Sequence, residues 1–362
     1  MAAAQLEAGN ADAARRAVCR ACREAAREPC GEGGHACARG RCRQGRWREG
    51  KLTSTGNDMA SILITGISGF IGRYLANHLR AQGHEVLGTT MRGMDAQLVC
   101  DLRERDQIDT VLRDTDPDVV IHLAALSSVT EGRTLQYYET NLIGTENLLL
   151  GLDAIGRRRR VIFVSTAGVY GNQPTNVLSE GLAPLPVSHY GISKYAAERL
   201  VLNFGERHDI TITRPFNVIG VGQNGNFVVP KLVRHFAERA ASIRLGRLDP
   251  VRDYIDVQST CDIFARLIDE PKSFGEIVNI CSGRGTSVRE LLDILIRVSG
   301  HELEVISAPE FIRSNEVFSL LGDTTRLDAL LPARQALLPV EDVIRGMLKE
   351  GEARVAGGAT AL

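Results

Sequence analysis

From Ser61 onward the chain alternates short aliphatic runs with stretches whose apolar residues recur at helical spacing. Ser61-Ile-Leu-Ile-Thr65 is one such run, ending at a glycine, and residues 70–82 then carry the helical pattern. Residues 85–89, 98–100, 118–123 and 161–165 read as further strands, with helices over 105–113 and 137–154. Strands that are apolar on both faces need cover on both sides, and the intervening helices supply it. The pattern predicts an α/β fold built on a doubly wound parallel sheet. After residues 210–213 the rhythm loosens, which predicts a smaller C-terminal α/β lobe. Ligands in such sheets bind at the carboxyl ends of the strands, so chemistry is sought there.

Composition narrows the partners. The 362 residues are 44% hydrophobic with a formal charge of −1, enough for a sizeable core and without the bias that draws a protein to nucleic acid. Apolar runs are strand-sized and far short of a membrane span. No basic start with an apolar core and cleavage site appears, so a cytoplasmic location is expected.

Five of the eight cysteines (Cys19, Cys22, Cys30, Cys37 and Cys42) fall in the first 50 residues, with His35 among them. Cys19 and Cys22 form a C-x-x-C pair, which could be read as a zinc knuckle. The same stretch is rich in Ala, Arg and Gly and nearly devoid of large aliphatic residues. Residues 1–58 are therefore expected to be a leader outside the enzyme, with no metal site, and 351–362 a flexible tail. Cys100, Cys261 and Cys281 stand in apolar surroundings and read as buried small hydrophobes.

Gly66-Ile-Ser-Gly69-Phe-Ile-Gly72 follows a strand and opens a helix, the setting in which a glycine fingerprint cradles a dinucleotide. Gly66 permits the turn, Gly69 lets the backbone approach a pyrophosphate, and Gly72 lets helix and strand pack closely. Ser68, Phe70 and Ile71 complete the candidate contact, where helix N–H groups meet phosphate. The second strand runs into Gly88-Thr-Thr-Met-Arg92, with no acid before Asp95. Thr90 takes the place of the acid that would accept from a ribose 2′-hydroxyl, and Arg92 can pair with a 2′-phosphate. NADP is the expected cofactor, with NAD as the alternative. Asp101 and Leu102 follow the third strand toward the adenine, and Leu123, Ala124 and Ala125 leave room for a ribose beside the fourth.

Tyr190-Gly-Ile-Ser-Lys194 opens a helix, and residues four apart share a helical face. A nearby ammonium, together with an oxidised nicotinamide, is expected to lower the tyrosine pKa and make it a usable acid/base. Tyr-x-x-x-Lys alone occurs by chance in many helices. Here Ser165-Thr166 follows the fifth strand, where a hydroxyl can bind a substrate carbonyl. The catalytic candidates are Thr166, Tyr190 and Lys194.

The fingerprint, the hydroxyl and the Tyr–Lys pair stand in one order, and residues 60–350 resemble an extended short-chain dehydrogenase/reductase of the nucleotide-sugar-modifying group. The resemblance implies a Rossmann-type NADP-binding domain over 59–215 and a nucleotide-sugar lobe over 216–350, with Asn141 among the cofactor contacts. Arg214-Pro-Phe-Asn217 and Val251-Arg-Asp-Tyr-Ile-Asp-Val257 are similar to segments whose Asn and Arg reach the sugar-nucleotide diphosphate, which implies Asn217 and Arg252. Arg313-Ser-Asn-Glu316 is similar to a nucleoside-binding segment, implying Arg313 and Glu316; Ser128 and Lys231 join the substrate set. Phe227-Val-Val-Pro-Lys231 and Cys281-Ser-Gly-Arg-Gly285 bring the chain nearest to the GDP-6-deoxy-D-mannose reductases.

The group's 4,6-dehydratases carry acids just after the catalytic hydroxyl, where this chain has Ala167 and Gly168, so elimination lacks its base. Its epimerases usually show an acid where Thr90 stands. What is left is reduction of a nucleotide-linked 4-keto-6-deoxyhexose, with GDP-4-dehydro-6-deoxy-D-mannose to GDP-D-rhamnose as the leading expectation. A 4-epimerase and a non-catalytic NADP-binding subunit are the alternatives. The resemblance also implies a homodimer.

Overall fold

The computed structural model describes residues 59–91, 98–127, 134–312 and 317–358. Arg92, Ser128, Arg313, Glu316, the leader and its cysteines lie outside these residues.

Thirteen strands are present among the described residues: β1 (Ser61–Thr65), β2 (Glu85–Thr90), β3 (Leu98–Val99), β4 (Val119–His122), β5 (Arg160–Val164), β6 (Asp209–Pro215), β7 (Asn217–Ile219), β8 (Ser242–Leu245), β9 (Val251–Asp256), β10 (Ile277–Ile280), β11 (Gly285–Ser287), β12 (Glu304–Ser307) and β13 (Ser319–Leu320). Seven form one sheet in the order β10-β6-β5-β4-β1-β2-β3, with every neighbouring pair parallel. The order reverses between β1 and β4, the crevice where such sheets hold ligands.

Alternation along the strands explains the two layers of helices. Ile62 and Ile64 face one side, with Leu75 and Leu79 of the helix Phe70–Ala81 and Phe264 of the helix Val257–Ile268. Leu63, Val120 and Phe163 face the other, against the helices Arg105–Thr115, Gly144–Ile155 and His189–Leu202. Each side chain so buried stabilises the fold by roughly 1.5–3 kcal/mol relative to exposure. The smaller sheets β11-β9-β13, with β7 paired to β9, and β12-β8 carry the later chain. β10 and the helix Val257–Ile268 return to the large sheet after β7, β8 and β9 have been laid down.

The stretch expected as one helix over 137–154 is three pieces: Leu135–Tyr138, a π-helical segment Glu139–Ile143 and Gly144–Ile155. The extra residue in the π turn puts Thr140 and Asn141 inside the protein.

Candidate active site

β1 ends at Gly66, whose φ of +73° suits glycine. The N–H groups of Gly66 and Ile67 donate to Thr89 O at 3.0 and 3.2 Å, so the turn is fastened to β2. A Cβ on Gly72 would sit 2.5 Å from Gly66 O and 2.7 Å from Ile67 O; only glycine lets the helix start so close beneath the turn. Gly69 precedes the helix without a side-chain cap, leaving the first N–H groups open to a ligand. Ser68 Oγ lies 2.9 Å from Thr90 Oγ1, so the fingerprint and the end of β2 are joined at the position that selects the cofactor.

Asp101 holds Arg103 through Nε at 3.0 Å and Nη2 at 2.5 Å, and this guanidinium keeps its carboxyl below the usual range. Leu102 is buried, and the peptide N–H of Ala124 donates to Thr65 Oγ1 at 3.2 Å. Leu123, Ala124 and Ala125 are half-buried at the end of β4.

Thr166 adopts an extended backbone and caps the short turn Ala167–Val169, its Oγ1 accepting from Gly168 N–H at 3.1 Å. Ser188 Oγ accepts from Gly191 N–H at 3.1 Å and so fixes where the helix His189–Leu202 begins, with Tyr190 in its first turn. The Tyr190 ring packs on Tyr137 at 6.3 Å between centroids.

Desolvation pushes the Tyr190 hydroxyl up to about 12, with Thr166 pulling the other way. Lys194 is fully buried, and burial pulls its ammonium down to about 7. Its Nζ lies 4.2 Å from the Phe163 ring centroid and has no hydrogen-bond partner among the described residues.

Asn141, grouped with the cofactor contacts above, is fully buried and spends its side chain on the protein. Its Oδ1 accepts from Leu126 N–H at 2.8 Å, and its Nδ2 donates to Leu126 O and Ser193 Oγ at 3.0 Å each. It splices the loop after β4 to the helix that carries Tyr190 and Lys194.

On the substrate side, β7 and β9 pair with Asn217 opposite Tyr254. Asn217 Nδ2 donates to Asp253 O at 3.2 Å, which places it beside Arg252. Arg252 Nη1 donates to Val251 O at 2.9 Å and Phe318 O at 3.3 Å. Lys231 is tied to the smaller sheet instead: its Nζ donates to Arg244 O at 2.8 Å and lies over the Phe311 ring.

Several organising residues were not singled out from sequence. Asp253 is fully buried and accepts from Ser282 N–H and Oγ at 2.7 and 2.6 Å, Gly283 N–H at 2.9 Å and Gly322 N–H at 3.2 Å. It gathers three chain segments beneath Arg252. Tyr170 donates to Asn279 Oδ1 at 2.7 Å. Glu198 binds Arg214 through two hydrogen bonds, at 3.0 and 2.7 Å. Only the position of Asp253 inside the Arg-Asp-Tyr segment, and of Glu198 four residues after Lys194, gave a readable signal.

A family model described as NAD dependent epimerase/dehydratase family matches residues 62–281. The chain belongs to this family. Over 290 residues it is 40% identical to a GDP-6-deoxy-D-talose 4-dehydrogenase of Aggregatibacter actinomycetemcomitans, covering 80% of this chain and 97% of that protein. It is 33% identical over 308 residues to a GDP-6-deoxy-D-mannose reductase of Pseudomonas aeruginosa, covering 81% and 98%. The solved structure of RMD from Pseudomonas aeruginosa complexed with NADPH superposes with a TM-score of 0.71 at 30% identity, over 81% of this chain and all of that one. The Rossmann-type sheet and the dependence on a nicotinamide cofactor follow from membership.

This chain's own residues fit such a cofactor. The glycine turn offers open N–H groups at a helix start, and Lys194 Nζ is a buried amine with no hydrogen-bond partner among the described residues. A dinucleotide's phosphates suit the first and its ribose hydroxyls the second.

Proposed function

We propose that this protein reduces the 4-ketone of a GDP-linked 4-keto-6-deoxyhexose with NADPH and runs the reverse oxidation. One observation carries the reading: Thr166, Tyr190 and Lys194 stand intact around a turn, Ala167–Val169, that bears no acid. Reduction of a ketone needs one proton donor and one polarising donor, whereas elimination also needs a base. The bound nicotinamide supplies hydride to carbon 4. Tyr190 donates the proton to the carbonyl oxygen. Thr166 accepts from Gly168 N–H and so keeps its own hydrogen to polarise that oxygen. Lys194 orients the cofactor ribose.

The two relatives' names converge chemically. D-talose and D-mannose differ only at carbon 4, so oxidation there gives one ketone, GDP-4-dehydro-6-deoxy-D-mannose, and the enzymes differ in the face that takes hydride. The 40% identical relative supports the talo product ahead of GDP-D-rhamnose for this chain. Asn217 and Arg252, on adjacent strands, are assigned to the diphosphate, with the lobe over 216–350 holding the sugar nucleotide. Ser128, Arg313 and Glu316 stay in the substrate set by resemblance. Ile143, Leu150, Ile192 and Leu202 expose apolar side chains along the stretch 139–155 and the helix His189–Leu202, which supports a homodimer formed through them.

The test is incubation of purified protein with GDP-4-dehydro-6-deoxy-D-mannose and each nicotinamide, following loss of absorbance and assigning carbon 4 of the product by NMR. Turnover favouring NADPH is expected, because Thr90 and Arg92 replace the acid that selects NAD. Better efficiency with NADH overturns the cofactor preference. Cofactor binding without turnover of any sugar nucleotide favours the non-catalytic reading.

A further inference from the structure

Two charged groups next to the active site have no place in the chemistry above. Glu198 and Arg214 are about 1% and 2% exposed, and their side chains form a two-point pair at 3.0 and 2.7 Å. Arg214 also lies 4.8 Å over the Tyr170 ring. A buried ion pair is seldom a net gain in stability over apolar residues of the same size, so its presence invites another explanation.

Its position supplies one. Glu198 lies one helical turn after Lys194, so both project from the same side of the helix His189–Leu202. Lys194 Nζ has no hydrogen-bond partner among the described residues and lies against the Phe163 ring. Several other ionisable groups on the elements packed around this helix are neutral or paired elsewhere among the described residues. His122, at the end of β4, is held neutral by burial and by Lys194 itself. Tyr137 and Tyr170 are phenols. Glu139 is 4.0 Å from Arg103, Asp153 pairs with Arg207 and His208, and Asp209 pairs with Arg158. Glu146 lies on the neighbouring helix Gly144–Ile155 and is partly buried. Burial lowers the Lys194 pKa, and Glu198, one turn along the same helix, opposes that shift.

We propose that Glu198, clamped by Arg214, is a positioning residue that keeps Lys194 charged and thereby sets the upper pH limit of the site. Arg214 Nε and Nη2 fix the carboxylate by two hydrogen bonds, and the lysine stays available to the cofactor. The inference rests on the assignment of Lys194 to the active site, but its test reads the lysine and not turnover.

The chain has only five lysines (Lys51, Lys194, Lys231, Lys272 and Lys349), so a full-length protein labelled at lysine Cε gives a spectrum that single Lys→Arg variants assign. In the parent, Lys194 is expected to titrate well below the others. In Glu198→Gln its midpoint should fall by about one unit, the scale on which one nearby charge moves a buried group. Glu198→Asp, which keeps the charge, should restore most of it. The double variant Glu198→Gln/Arg214→Met removes both charges and avoids an unpaired buried cation; its midpoint should fall between those of Glu198→Gln and the parent. The high-pH limb of ketone reduction should move with the NMR midpoint, giving about a tenfold loss at a pH one unit above it. A midpoint in Glu198→Gln equal to the parent's overturns the proposal. If that variant does not fold, a parental midpoint in the double variant overturns it equally.

Discussion

Thr65 Oγ1 and His122 Nδ1 lie 2.6 Å apart at the ends of β1 and β4, and counting hydrogens decides which of them donates. Thr145 Oγ1 donates its only hydrogen to Asn141 O at 2.7 Å. It must therefore accept from His122 Nε2, 2.9 Å away. His122 carries its proton on Nε2, and its bare Nδ1 accepts from Thr65, whose oxygen in turn accepts from Ala124 N–H at 3.2 Å. One directional chain runs from the loop after β4 to the π segment that holds Asn141.

A neutral His122 makes acid sensitivity predictable. Burial, reinforced by Lys194, lowers its pKa from 6.5 to about 3. The unfolded chain binds a proton that the folded chain refuses, so this contribution is fully present above about pH 6.5 and is lost as pH falls toward 3. Melting temperature measured from pH 7 to 4 should fall more steeply in the parent than in His122→Asn. Equal slopes would remove His122 from the account, and a ring proton found on Nδ1 would refute the tautomer.

Tyr190→Phe deletes one hydroxyl and little volume, so fold and NADPH binding should survive. Turnover should drop by about two to four orders of magnitude, the range for a positioned acid. Thr166→Val should slow turnover less, because it removes a hydrogen bond and not the proton itself. Steady-state kinetics at saturating cofactor check both, and a Tyr190→Phe variant as fast as the parent contradicts the assignment.

Gly72→Ala tests the close approach of helix and strand. The new methyl meets two backbone carbonyl oxygens at 2.5 and 2.7 Å, which cannot move aside as a flexible side chain would. We expect a destabilisation of about 1–3 kcal/mol, typical of overpacking, and at least a tenfold weaker Kd for NADPH. Calorimetry and fluorescence titration measure the two effects separately; unchanged cofactor affinity would show that the cradle tolerates the shift.

Arg252→Ala should raise KM for the sugar nucleotide with little change in kcat, since a diphosphate contact is made in ground and transition states alike. Asp253→Asn should act differently. It turns a four-fold acceptor into a group whose NH2 faces donors, and should lower the melting temperature as well as raise KM. An Arg252→Ala variant that loses kcat and keeps KM would move this arginine to the reacting centre.

Much of the large sheet was legible from periodicity because strand and helix signals are local. Ser61–Thr65 and the helix after it are set by residues within a few positions of each other. The π segment was not legible: it differs from an α-helix by one residue, and its cause is the distant set of partners that Asn141 finds in Leu126 and Ser193. Thr166, Tyr190 and Lys194 were readable as types in order, whereas the raised Tyr190 pKa depends on how the folded chain packs around its hydroxyl. Arg214 sits 16 residues from Glu198, so the pair exists only once β6 packs on the helix.

β10 adds a consequence for biosynthesis. It pairs with β6 as the outermost strand, although more than sixty residues of chain separate them. A ribosome-bound chain released only as far as β9 therefore carries β1 to β6 of the large sheet but an unsheathed strand edge, with Ile210 and Ile212 beside it. Such an edge is an open template for intermolecular pairing. Truncations that stop before Ile277 should aggregate, and slowing elongation between residues 215 and 280 should increase dependence on chaperones.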